Sequence, residues 1–215
     1  MNNETKRVPQ KKSNVTRQRI LEAATEVFAN KSYLAASIRM IANRGSFDHG
    51  IIRYYYPSKA SLFTAVSKKV CNEIFNEIPE WYTEVKPEMS ITEGFTAYID
   101  KFIDYVFKNP DAFKIIMQNI SQDGKNESAP GYEEMIELLA SSRRFFEENI
   151  KLTASSEEIG MFINCFNTIV FNYVGSSSSQ ARLIEMDPDS PEYQQWVKDT
   201  LAFMFLPRLL EMTAN

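Results

Sequence analysis

At 215 residues the chain has room for one or two small domains with a buried core and is too short for a large multidomain enzyme. Apolar residues make up 44%, with 15 Phe, 10 Tyr and only 7 Gly, which excludes a disordered chain and predicts an interior rich in rings. The net charge of −4 conceals an asymmetry: residues 1–62 hold 11 Lys and Arg against 4 Asp and Glu, a net of +7, and residues 63–215 hold 13 against 24, a net of −11. A basic N-terminal quarter on an acidic remainder is expected when one part neutralises phosphates and the other does something else. A basic tail without a partner is the alternative.

Residues 1–13 carry Lys6, Arg7, Lys11 and Lys12 without apolar periodicity and read as a basic arm; nothing in them resembles a signal peptide, so the expected location is the cytoplasm. From Asn14 onward Ile20, Ala24, Val27 and Phe28 recur at helical spacing until Lys31-Ser32, a first helix of about four turns. Ser37 is placed to cap a second short helix, Ile38 to Asn43, which stops at Gly45. Asp48 caps a third running to about Tyr55, closed by Pro57. Ser58 caps a fourth, whose stripe of Leu62, Val66, Val70, Ile74 and Ile78 lasts until Pro79. Residues 14–62 then form a helix-turn-helix domain and 63–215 a second domain.

Beyond Pro87 the patterns stay helical. Ile91, Phe95, Tyr98, Phe102 and Tyr105 mark one helix, Pro110 opens the next, Gly124 to Pro130 is a loop, and three more helices fall at about 131–151, 156–175 and 191–213. Ser176 to Ser179 read as a helix end, and Pro207 as a kink or a fresh start. No stretch alternates with period two, so the fold expected is all-α, with about nine helices. Ile159 to Gly175 contains Asn164, Asn167 and Asn172 and falls short of the about 20 residues of a membrane span. Cys71 and Cys165 read as buried thiols of a reducing compartment, with a disulfide between them left open.

The single histidine, His49, has no Cys, His or carboxylate cluster beside it, and the chain shows neither a Gly-rich phosphate loop nor a nucleophile motif. Neither a metal nor a cofactor is therefore expected, and a helical enzyme is the remote alternative. Ser37 to Tyr55 instead has the parts of a helix-turn-helix: a positioning helix, a turn with glycine, and a second helix offering polar groups at its N-terminal end.

Thr16-Arg17-Gln18-Arg19-Ile20-Leu21-Glu22-Ala23-Ala24, Val27-Phe28-Ala29, Ile41-Ala42 and Tyr55-Tyr56-Pro57-Ser58-Lys59-Ala60-Ser61-Leu62 resemble, in order and spacing, the N-terminal signature of the TetR family of bacterial repressors. The resemblance covers about residues 14–65. It implies a homodimer whose recognition helices enter successive major grooves of a palindromic double-stranded operator. The positions it points to at DNA are Thr16, Arg17, Ile38, Arg39, His49, Gly50, Arg53, Tyr54, Tyr55 and Lys59, the last as a phosphate ligand. Their chemistry agrees, since Arg53 has the fork that guanine accepts and Tyr54 and Tyr55 carry phosphate donors. The chain departs from the family in its turn, where Gly45-Ser46-Phe47 replaces Ala-Gly-Val, and at Arg53, where Tyr is common.

In the acidic remainder Phe102, Tyr105, Phe113, Met117, Phe145 and Phe166, with Phe171, offer an aromatic and thioether surface for a small-molecule effector. The effector expected is apolar or aromatic, with any cationic part meeting the plentiful acids. Simple core packing is the competing role for each ring. Phe162, Ile169, Tyr173, Trp196, Leu201 and Met204 lie on the two helices that, by the resemblance, pair across the dimer; burial within one chain is the alternative. The combined expectation is a repressor released from DNA by its effector, against a DNA-binding regulator with no small ligand, and with activation as the other sign.

Overall fold

The computed structural model describes residues 10–120 and 130–213, and among them every regular element is an α-helix. Two compact units divide in sequence between Val66 and Ser67.

The first unit is built on α1 (Gln10–Asn30), α2 (Ile38–Gly45), α3 (His49–Tyr55) and the start of α4 (Lys59–Trp81). Ile20, Ala24 and Phe28 of α1 meet Ile41 of α2, Ile52 of α3 and Leu62 of α4 in a core from which water is excluded. The Phe63 ring stands edge-on to Phe28 at 4.7 Å, a favoured ring geometry. Helix α1 begins at Gln10, whereas apolar periodicity begins only beyond Asn14, so residues 10–13 of the expected arm are helical. Gln and Lys are good helix formers, and a tertiary tie at Ser13, described below, secures that first turn. Residues 1–9 of the arm lie outside the described residues.

The second unit contains the rest of α4, α5 (Ile91–Lys108), α6 (Pro110–Ile120), α7 (Tyr132–Asn149), α8 (Ser156–Gly175), α9 (Ser177–Leu183) and α10 (Pro191–Thr213). Helix α10 lies along α5 and α6 along α8. Capping boxes open two of these helices: Ser90 with Glu93 at α5 and Ser155 with Glu158 at α8, each satisfying amides that a helix start leaves free. On α10, Lys198 reaches Asp100 at 3.0 Å and Asp104 at 2.8 Å, and Gln194 donates to Asp104 at 2.6 Å, which fixes α10 against α5.

Three local expectations change. Helix α4 continues through Pro79 to Trp81, because a proline near a helix end removes only one late hydrogen bond and Trp81 is anchored in the core. Ser177 to Ser179 open a helix of their own, held by fully buried Ala181. Helix α10 runs on through Pro207, so the final turns are not a separate helix. The loop expected from Gly124 falls, up to residue 129, outside the described residues. Cys71 is buried, but Cys165 is exposed on α8, and both are free thiols. The Asn-interrupted stretch that predicted a buried helix turns one flank outward, carrying Cys165 with it. No described helix is long and apolar enough to cross a membrane.

Candidate functional site

The α2–α3 corner is fixed by capping. Ser37 Oγ accepts from the Met40 amide at 3.3 Å at the start of α2, and Asp48 Oδ1 accepts from the Gly50 amide at 2.7 Å at the start of α3. Between them Ser46 takes left-handed geometry (φ 54°, ψ 44°), the Phe47 amide donates to the Ala42 carbonyl at 2.9 Å, and the Ser46 amide to Asn43 at 3.4 Å. This is the double closure of a Schellman end, with serine where glycine is usual. Gly45 serves another purpose: a Cβ there would run into the Phe47 ring and come within 3.0 Å of Ala23 Cβ. The displaced glycine therefore makes room for a phenylalanine wedge, whose outer side meets the Arg19 guanidinium at 5.3 Å.

Helix α3 buries Ile52 and turns His49, Gly50, Arg53 and Tyr54 to solvent, with Tyr54 80% exposed. Tyr55 is half-buried and its hydroxyl donates to Ser13 Oγ at 3.3 Å, tying α3 to the first turns of α1. Arg17 donates from Nε to the hydroxyl of buried Tyr56 at 3.2 Å, which sets it beside the end of α3. Arg39 is exposed in the first turn of α2, with Ile38 and, on α1, Thr16 half-buried. Seven of the ten expected positions thus lie on α2 and α3, and Arg17 stands beside the end of α3. Lys59 differs: its ammonium donates to the carbonyls of Tyr33 (2.8 Å), Ala36 (3.0 Å) and Leu34 (3.4 Å) and lies 4.5 Å from the Tyr33 ring. It braces the α1–α2 connection, and no pattern in the sequence marks Tyr33 as its partner.

Within the C-terminal unit three spaces share walls. A cavity of about 220 Å³ has an exposed rim that includes Lys86, Ser90, Asn149 and Lys151, and a floor of Phe95, Tyr98, Phe146 and Leu209. Tyr82, Phe95, Tyr98 and Phe146 also bound a second void of about 30 Å³, beside Phe162, Phe166 and Asn167. Tyr98, Ile78, Ser142 and Asn167 separate that from a third, also about 30 Å³, walled by Trp81, Phe102, Phe113 and Phe171. Tyr98 borders all three. Burial pushes the Tyr98 phenol well above its ordinary range, with neighbouring Tyr82 adding to it, and burial raises Tyr82 likewise, so both stay protonated. The indole N–H of Trp81 is buried without an acceptor, an arrangement that costs about 1–3 kcal/mol and is tolerated here beside a void.

Of the expected effector residues, Phe102, Phe113 and Phe166 line the inner voids. Tyr105, Met117 and Phe145 border none of the three spaces: Tyr105 packs on Trp81 at 5.6 Å, Phe145 on Tyr82 at 5.0 Å, and Met117 Sδ accepts from Ser176 Oγ at 3.4 Å. No Asp or Glu lines these spaces, so the acids expected to meet a cationic part of the effector are elsewhere. Lys86 and Lys151, which carry no periodic signal, were not anticipated.

The expected dimer residues divide as well. Phe162 and Leu201 are buried within the chain, Phe162 packing on Phe146 at 5.6 Å and Phe205 at 5.3 Å. Ile169, Tyr173 and Trp196 are half-buried, and only Met204 is well exposed. The outward apolar groups of α8 and α10 include Met161, Cys165, Phe203, Met204 and Leu210, and Met161, Cys165 and Met204 border a shallow groove closed by the Arg208–Glu158 ion pair at 2.6 Å. A hydrophobic stripe wider than half a helix turn gives no phase from which to tell the two faces apart. Among the described residues no group of three or more Cys, His, Asp or Glu is placed to hold a metal.

Residues 20–66 match the family model for bacterial regulatory proteins of the tetR family. Over that stretch the N-terminal unit is similar to regulators of the TetR family. Solved structures of TetR-type regulators share the fold along most of their length. A transcriptional regulator from Rhodococcus sp. Rha1 is 14% identical with a TM-score of 0.64, covering 90% of this chain and 97% of that one. PfmR from Thermus thermophilus is 16% identical with a TM-score of 0.58, covering 87% and 97%. A curated relative, the HTH-type transcriptional activator FasR of Mycolicibacterium smegmatis, is 22% identical over 103 residues, 48% of this chain and 46% of that protein, so the match spans about half the length of that relative.

Proposed function

We propose that the chain is a DNA-binding transcriptional regulator whose α3 enters the major groove and whose C-terminal unit takes a small, largely apolar effector. The observation that carries DNA binding is the split of α3: Ile52 is fully buried while His49, Gly50, Arg53 and Tyr54 face water, on a unit whose sequence is strongly basic. Arg53 reads guanine through its two parallel donors, Tyr54 and Tyr55 contact phosphate or thymine methyl groups, and Arg17 and Arg39 hold the backbone. Lys59 orients the loop that carries Ala36 and the Ser37 cap, so its effect on DNA is through position.

Two copies are needed to read a palindrome, and Met161, Cys165, Phe203 and Met204 supply an apolar face for pairing in a four-helix arrangement. Effector binding favours a dimer spacing that no longer fits the two grooves, so the protein acts as a repressor relieved by its ligand. Activation, the sign that FasR carries in its name, is distinguished by a promoter reporter. Fluorescence anisotropy with DNA from beside the protein's own gene, across a salt series, tests the DNA claim. Affinity falls as salt rises, with a log–log slope of about −0.9 for each phosphate neutralised, and Arg53→Ala relaxes sequence preference by about 1–3 kcal/mol. Binding indifferent to salt and to Arg53 would remove the claim.

A further inference from the structure

The cavity of the C-terminal unit carries more information than its apolar character. In a region whose sequence totals −11, the only ionic side chains on its wall are Lys86 and Lys151, both exposed at the rim and neither in an ion pair among the described residues. Of the neighbouring acids, Glu93 accepts from Ser90, Glu84 pairs with Lys101 at 3.2 Å and Glu147 pairs with Arg143 at 2.8 Å, while Glu88 and Glu148 are exposed and off the wall. Below the rim, Tyr82, Phe95, Tyr98, Phe146 and Leu209 make the wall largely apolar, and Tyr98 also borders both inner voids. Beyond Tyr98 each void holds only about 30 Å³ and is bordered by Ser142 and Asn167, whose side chains find no hydrogen-bond partner among the described residues. Such small polar-edged voids suit single waters better than methylenes.

We propose that this cavity binds a linear anionic amphiphile: a medium-length unbranched hydrocarbon chain with a carboxylate head. The head lies between Lys86 and Lys151, the chain runs over Phe95 and Phe146, and it stops at the Tyr98 ring. The proposal rests on the effector-binding reading of the C-terminal unit and gives that effector a chemical class. Apolar burial supplies the affinity, and the two ammonium groups set the polarity of insertion and select against cations.

Calorimetric titration of the full chain, below micellar concentrations, tests it with decanoate, hexadecanoate and decyltrimethylammonium as probes. Decanoate binds, the ammonium amphiphile of equal chain binds at least about tenfold more weakly, and the double variant Lys86→Glu with Lys151→Glu reverses that order. Both lysines are on the surface, so the variant keeps its fold, which its unfolding curve verifies. Equal or tighter binding of the ammonium probe to the unaltered chain, or a double variant with unchanged preference, would overturn the assignment. Tighter binding of hexadecanoate than of decanoate would overturn the stop at Tyr98. Operator anisotropy on the same preparation separates the two readings. DNA binding without decanoate binding defeats the amphiphile and leaves the regulator, whereas decanoate binding without DNA binding defeats the regulator and leaves the cavity.

Discussion

In the N-terminal unit Phe28, Ile41 and Ile52 close a core with no exposure, and the side chains assigned to the ligand stand outside it on short, capped helices. In the C-terminal unit the relation is inverted: Phe95, Tyr98 and Phe146 surround space beneath an exposed rim that carries Lys86 and Lys151. A partner as large and rigid as a DNA duplex is met by a surface, which needs a solid support behind it. A small amphiphile is met by enclosure, which needs rings that leave gaps. The two units divide these demands, and substitutions should separate them.

The largest effect is expected from emptying each core. Phe28→Ala removes a ring packed on all sides and is expected to lower stability by about 3–5 kcal/mol, whereas Phe102→Ala, beside existing voids, falls at the low end of that range. Denaturant unfolding measures both, and equal losses would break the contrast between solid and perforated cores. Next comes Gly45→Ala, which forces the Phe47 ring away from α2 and is expected to remove about 1–3 kcal/mol and most DNA binding while decanoate affinity holds. Asp48→Ala deletes the cap of α3, for about 1 kcal/mol, and weakens operator binding through the angle of that helix.

These residues also show what sequence makes legible. Caps such as Ser37, Asp48 and Ser58 act within three residues, so their chemistry is written locally, as is the periodicity that placed the helices. The positions expected at DNA on α3 come instead from the resemblance of the N-terminal motifs to the TetR family. The bracing role of Lys59 is not legible, because its partners at Tyr33, Leu34 and Ala36 lie more than twenty residues away and are backbone carbonyls, which every sequence offers. In the C-terminal unit nearly every ring was a candidate for the cavity, and only three-dimensional packing separates Phe166, which borders a void, from Phe145, which covers Tyr82. Phe162 and Leu201 were assigned to a dimer face for the same reason: α8 and α10 are apolar around so much of their circumference that the stripe has no edge.

Smaller effects sharpen the outer surface. Cys71 is buried and its thiol is pushed up to about 12, first by burial and then by nearby Glu134, so it stays protonated and inert to maleimide at neutral pH. Exposed Cys165 is the site that labels, and assembly through α8 and α10 slows it; mass spectrometry of labelled protein reads both results. The smallest effect is on acid stability. Hydrogen bonds from Ser90 to Glu93, and from Ser155 to Glu158, hold these carboxyls below their ordinary value of 4.5. Because the folded values are lowered, the stabilisation is present above 4.5 and is lost as pH falls through the lower folded values. Ser90→Ala with Ser155→Ala should flatten that acid limb in melts across pH.

The division of labour between the units is tested most directly by measuring operator anisotropy and decanoate calorimetry side by side on Arg53→Ala and on the Lys86→Glu, Lys151→Glu pair. Arg53→Ala is predicted to lose operator preference while keeping decanoate affinity, and the lysine pair to lose decanoate while keeping the operator. Loss of operator binding in the lysine pair, or loss of decanoate binding in Arg53→Ala, would contradict the assignment of one ligand to each unit.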